Sequence, residues 1–152
     1  MLTQNVDVSL PVERNVVAVL QTDYEPLEQP SVPQPDRSLV LLCPLRIIRW
    51  EGEATGPVVA LMLNHCGMGR VELAVSCALE IVDLLGQFSR RAFRFCAVDA
   101  GALSADERAL SSLFAALRRG DKNHAKAVVE WLMPPHHQKG FLRAAEDLVA
   151  CL

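Results

Sequence analysis

A chain of 152 residues that is 51% hydrophobic and 22% charged can bury one core without disulfides or metals. It is too apolar for an intrinsically disordered segment. Its net charge of −3 has the wrong sign for a domain whose whole surface follows nucleic acid. Aromatics make up only 5%, so the core must come from Leu, Val and Ala, which favours packed helices over a small β-sandwich.

The first residues, MLTQNVDVSLPVER, carry no basic stretch leading into an apolar one, so a secretory signal is not expected. Asn15 to Gln21 (NVVAVLQ) is a short apolar run, readable as a strand or as part of an arm laid on a core. Thr22 to Arg37 holds Pro26, Pro30, Pro33 and Pro35 among acidic and amide residues. Prolines that dense forbid a helix and favour an extended, solvated segment. Residues 1–37 therefore read as an extended arm or linker, and residues 5–22 as a stretch that could dock on a partner or on a second copy of the chain.

Ser38 to Trp50 (SLVLLCPLRIIRW) is a buried strand or a helix that begins near Cys43, with Pro44 in its first turn. Proline is well tolerated there, and Leu41, Leu45 and Ile48 separate from Leu42, Arg46 and Arg49 at helical spacing, so the helix is preferred. The longest apolar run, Leu39 to Leu45, is far short of the roughly 20 residues that span a bilayer, and no membrane partner is expected. Pro57 to His65 reads as a strand or as a short helix opened by Pro57. Beyond the glycines at 67 and 69, Val71, Val75, Ala78, Val82 and Leu85 mark one face of a helix ending near Gly86 to Ser89.

The stretch from Cys96 to Leu132 is the most explicit. Ser104 and Glu107 have the S-x-x-E spacing of a capping box, with Leu103 placed to staple onto the apolar face that follows. Leu110, Leu113, Phe114 and Leu117 recur at helical spacing. Arg118 and Arg119 suit the negative helix end, and Gly120 suits the stop. Asp121 caps a second helix with Ala125, Val128, Val129 and Leu132 on one side, ended by Pro134 and Pro135. Phe141, Leu142, Ala145, Leu148, Val149 and Leu152 define a last amphipathic helix.

The expected fold is mainly α: a single compact domain of about four to six helices over residues 38–152, behind the arm. The alternative is α+β, with strands at 15–21, 39–49, 57–63 and 92–98.

Asn64-His65-Cys66-Gly67-Met68-Gly69-Arg70 is the leading candidate for a site. Glycines at a helix start let backbone N–H groups approach an anion, and Arg70 would add a fork for phosphate or carboxylate. The dinucleotide fingerprint is incomplete, because its third glycine would fall on Glu72. A plain helix–helix turn accounts for the same residues and is preferred. His65 and Cys66 are neighbours and point in different directions, which argues against one ion or one catalytic pair.

His136 and His137 after the prolines, with His124 one helix earlier, are weak candidates for a transition metal. No Cys or carboxylate stands at a recognised ligand spacing, so exposed loop histidines are the better account. Cys43-Pro44 matches a dipeptide found where heme binds a regulatory thiolate, but two residues carry almost no information. No cofactor or metal is expected, and no catalytic set is visible.

Arg90, Arg91 and Arg94 interleave with Phe93 and Phe95. Single-stranded nucleic acid can use such a patch. A half-buried edge with arginines closing a helix end is the simpler reading, and nucleic-acid binding is not favoured. Trp50 and Trp131 lie within apolar stripes and read as core or interface anchors. The five cysteines (43, 66, 77, 96 and 151) form no C-x-x-C pair, which points to a reducing cytoplasm.

Two functions follow as expectations. The preferred one is a non-enzymatic interaction or regulatory protein that associates with itself or with another protein. It is motivated by the proline-rich arm, the apolar surplus and the missing catalytic set. The alternative is a small anion-binding or enzymatic domain that uses the Gly67–Arg70 turn.

Overall fold

The computed structural model describes residues 40–152. The arm at 1–37 and the alternative strand at 15–21 lie outside the described residues. Within them the protein is mainly α, with six helices and no strand. These are α1 (Leu42–Glu51), α2 (Gly56–Cys66), α3 (Val71–Phe88), α4 (Ala105–Arg119), α5 (Lys122–Leu132) and α6 (Pro135–Ala150). Of the other alternative strands, 42–49 and 57–63 are helical, and 92–98 has no regular structure.

Helix α1 takes Pro44 in its first turn, where a missing N–H costs no hydrogen bond. It ends at Gly52, which adopts φ +77° and returns its N–H to the Ile48 carbonyl. Leu41 and Leu45 are fully buried. Arg46, which helical spacing groups with Leu42 and Arg49 away from Leu41, Leu45 and Ile48, is buried as well, at 5% exposure. The reason lies in α4, as shown below.

Pro57 opens α2 as expected, and the chain turns at Gly67 into α3. The buried stripe of α3 is Ala74, Cys77, Ala78, Ile81, Val82 and Leu85; of the marked face Ala78, Val82 and Leu85 are buried, and Val71 and Val75 only half-buried. The apolar face is thus rotated slightly from the one that the sequence marks. Small residues on this stripe let neighbouring helices approach, and α3 packs most extensively on α6.

The hairpin forms as its caps specify. Ser104 Oγ accepts from the Glu107 N–H at 3.0 Å, and the Glu107 carboxylate accepts from the Ser104 N–H at 2.9 Å. Gly120 stops α4 at φ +73°, and the Asp121 carboxylate accepts from the His124 N–H at 3.1 Å. Pro135 does more than end α5. It starts α6, so His136 and His137 lie in the first turn of that helix and not in a loop. Among the described residues Phe114 and Phe141 are the two aromatics wholly inside the core; Leu, Ile, Val, Met, Ala and Cys supply nearly all of the rest.

Candidate functional site

The Gly67–Arg70 segment is a helix–helix turn. Because residues 57–63 are helical, a strand–glycine loop–helix cradle does not form. Gly67 has φ +74° and returns its N–H to the Leu63 carbonyl at 3.0 Å, which terminates α2. Gly69 and Arg70 are exposed. Arg70 Nη1 donates to the Ala150 carbonyl at 3.0 Å, so the guanidinium already serves the negative end of α6. His65 is exposed and Cys66 half-buried. Burial pushes the Cys66 thiol up, against a smaller lowering by Arg70, so no activated thiolate stands beside the glycines.

The three histidine candidates are not brought together as a ligand set. His124 Nε2 lies 2.6 Å from Ser112 Oγ, bridging α5 to α4. His137 stacks on Phe88, with ring centroids 3.9 Å apart and 16° between planes. Among the described residues no group of three His, Cys, Asp or Glu side chains could hold a metal ion.

A different region stands out by its construction. Between α3 and α4 the chain runs from Ser89 to Ser104 without regular structure. Connections this long in a compact domain are uncommon and usually carry function. This one is fastened down by buried charge. Arg46 forms a two-pronged pair with Glu107, Nε to Oε1 at 2.6 Å and Nη2 to Oε2 at 2.9 Å. The same guanidinium donates to the carbonyls of Ala100 and Ala102, each at 2.9 Å. Glu107 is fully buried and accepts from the Cys96 N–H at 3.1 Å in addition to that of Ser104. Burial alone would raise the Glu107 carboxyl. Arg46, the Ser104 N–H and the Cys96 thiol and N–H outweigh it and hold the pKa at about 2. The Cys96 thiol is pushed up, chiefly by its hydrogen bond to the same carboxylate.

Further contacts fix the rest of the segment. Asp106, in the first turn of α4, accepts from the Arg94 N–H at 2.9 Å and pairs with Arg91 Nη2 at 3.2 Å. Ser104 Oγ donates to the Arg94 carbonyl at 2.5 Å. Arg90 closes a helix end, though that of α5 and not of α3. Its N–H reaches the Leu132 carbonyl at 2.9 Å, and its Nε reaches those of Glu130 and Met133 at 2.8 and 3.1 Å. Phe93 and Phe95 pack together with centroids 4.6 Å apart, half-buried against the core.

What this anchoring displays is aromatic. Trp50 is 63% exposed and Trp131 44% exposed, so neither is a core residue. Trp50 Nε1 donates to the Cys96 carbonyl at 3.3 Å. The Arg91 guanidinium lies 3.9 Å over the Trp131 ring, a cation–π geometry. The two tryptophans thus meet opposite ends of one short stretch, Arg91 to Cys96. The sequence already holds one signal of this arrangement, Arg46 set between Leu45 and Ile47 in the apolar run LLCPLRIIRW, since an arginine so placed is buried only when paired. The partner and the displayed surface depend on contacts across some sixty positions of chain, between Arg46 and Glu107.

Comparison with protein-family models, with curated proteins and with solved structures gives no match for this chain.

Proposed function

We propose that the protein is a non-enzymatic interaction module that associates with itself, and that the surface around Arg91 to Cys96 is where it does so. The observation that carries this reading is the pair of exposed tryptophans, with Arg91 stacked on one of them. Trp and Arg are the residues that most often dominate binding energy at protein interfaces. A surface made of them gains affinity when its backbone is fixed before binding, because less entropy is lost on association. The Arg46–Glu107 pair supplies that fixing. A homodimer is the default assembly for one self-complementary patch, since a two-fold axis uses the same residues twice. The arm at 1–37 belongs to the same proposal, as a segment that strengthens association.

Light scattering on the full-length chain tests this reading. The wild type is expected to be larger than a monomer, and Trp50→Ala with Trp131→Ala is expected to return it toward monomer with the helical content unchanged. Removing residues 1–37 is expected to weaken association. A wild type that stays monomeric at high concentration would overturn the proposal.

A phosphate or carboxylate ligand at Gly67–Arg70 is the lesser reading. The exposure of Gly69 keeps it open, while the commitment of Arg70 to the Ala150 carbonyl weighs against it. A shift in melting temperature with inorganic phosphate that is lost in Arg70→Ala would favour it.

A further inference from the structure

A groove runs between α5 and α6 and is lined also by Leu117 of α4. It has a volume of about 440 Å³. Two facing stripes form its walls. From α5 come Lys122, Ala125, Lys126 and Val129, and from α6 come Pro135, Gln138, Lys139, Leu142 and Glu146. Each stripe starts i, i+3, i+4, i+7, the set that one helix presents to another. Two helices that offer such stripes to one open trough have the geometry of a bundle with a place for one more helix.

The walls also carry a charge pattern. Leu117, Pro135 and Leu142 give the accessible apolar surface, over the buried Ala125 and Val129, and lysines stand along the rim. Lys122 and Glu146 share one end, where an adjoining hollow adds Asp121, so that end is close to balanced. The net positive charge therefore lies further along, with Lys126 and Lys139. Among the described residues Lys126 is held by a 3.9 Å contact to Glu130 on its own exposed helix face. A contact that long, at the surface, is weak, which leaves the ammonium able to turn to a partner. The apolar surface calls for Leu- or Ile-like side chains at helical spacing. The rim calls for carboxylates flanking them, or for a helix C-terminus, whose dipole is negative.

We infer that the α5–α6 groove docks a short amphipathic helix with acidic flanks from another protein, two to three turns long, seated along Leu117, Leu142 and Pro135 with its carboxylates on Lys126 and Lys139. Neither Trp50 nor Trp131 lines this groove, so it is a second surface, and it stands or falls separately from self-association through Arg91 to Cys96.

The test uses full-length protein and fluorescein-labelled helical peptides of about a dozen residues, long enough for three turns. One has a Leu stripe flanked by Glu, and one has the same stripe flanked by Lys. The Glu peptide is expected to bind and the Lys peptide not to. The exposed double variant Lys126→Glu/Lys139→Glu is expected to weaken the Glu peptide about tenfold or more and to gain affinity for the Lys peptide, because reversing two rim charges changes both contacts from attraction to repulsion. Leu142→Gln is expected to weaken the Glu peptide, with circular dichroism confirming that the fold survives. Trp50→Ala is expected to leave peptide binding unchanged.

Failure of the Glu peptide to bind would overturn the inference, as would binding that ignores the double charge reversal. Decanoate that binds the wild type, loses to the charge-reversed variant and is not displaced by the Glu peptide would also overturn it, by giving the groove to a small anionic amphiphile. Self-association abolished by Lys126→Glu/Lys139→Glu, and not by the tryptophan variants, would give the groove to a second copy of this chain.

Discussion

Two connections in this protein invite the same description and are built on different physics. The turn at Gly67–Arg70 is short, glycine-bearing and exposed, and it is shaped by local backbone geometry, above all φ +74° at Gly67. The stretch from Ser89 to Ser104 is long and carries one glycine, Gly101. Its shape is imposed from a distance by Arg46 and Glu107, which together bind the backbone at Cys96, Ala100, Ala102 and Ser104. The comparison teaches that glycine content is a poor guide to where a surface is prepared for binding. A turn that holds itself needs no other element. A long segment stays in one conformation only if buried partners hold it, and an arrangement of that kind presents its side chains rigidly.

The sharpest way to break the comparison is to remove one member of the buried pair. Glu107→Ala strands the Arg46 guanidinium in the core and removes acceptors for the Cys96 and Ser104 N–H groups. It is expected to cost about 3–5 kcal/mol in chemical denaturation. The double change Arg46→Met/Glu107→Leu is expected to recover much of that loss, because no charge is left stranded. Amide exchange at Cys96 should nonetheless remain fast in the double variant, since its acceptor is gone. Full protection there would show that the pair does not hold the segment.

Acid sharpens the same point. Glu107 titrates at about 2 in the folded protein, against an ordinary value of 4.5. Its folded value is depressed, so its stabilisation is complete above the ordinary value and is lost as pH falls from there toward about 2. Over that window the wild type is expected to lose about 3 kcal/mol that Glu107→Gln does not lose. Equal acid slopes in urea titrations of the two proteins would contradict this account of the carboxylate.

The local turn should behave differently. Gly67→Ala meets open space at the new Cβ, so its whole cost is backbone strain in a region used almost only by glycine, about 1–3 kcal/mol. Arg70→Ala, next to it, removes one exposed hydrogen bond and is expected to change stability by less than about 0.5 kcal/mol. Neither should alter amide exchange at Arg94 or Cys96. An Arg70→Ala loss as large as that of Glu107→Ala would erase the distinction between the two connections.

The sequence is most explicit where structure is local. The Ser104–Glu107 box, the Gly120 stop and the Asp121 cap are each written within four residues, and each forms as written. The mainly α fold follows from apolar periodicity and from a core almost free of aromatics. Periodicity is less exact in phase, as the rotated face of α3 shows. It groups Arg46 with Leu42 and Arg49, and a helical wheel cannot know that Glu107 is waiting inside. The same blindness affects the tryptophans. An apolar stripe holding Trp50 or Trp131 looks like core until the neighbouring elements turn out not to cover it. Pro134 and Pro135 show a third limit, since a proline that ends one helix is equally suited to start the next.

The most direct test of the central claim is amide hydrogen exchange on the full-length wild type at a dilute and at a high concentration, resolved at Arg91 to Cys96. The Phe93 and Phe95 N–H groups have no partner among the described residues, so their exchange reports what covers them. The account predicts that exchange across this stretch slows as concentration rises, while that at Gly67–Arg70 stays the same. Protection that rises elsewhere and leaves Arg91 to Cys96 unchanged would contradict it and would place self-association on another surface.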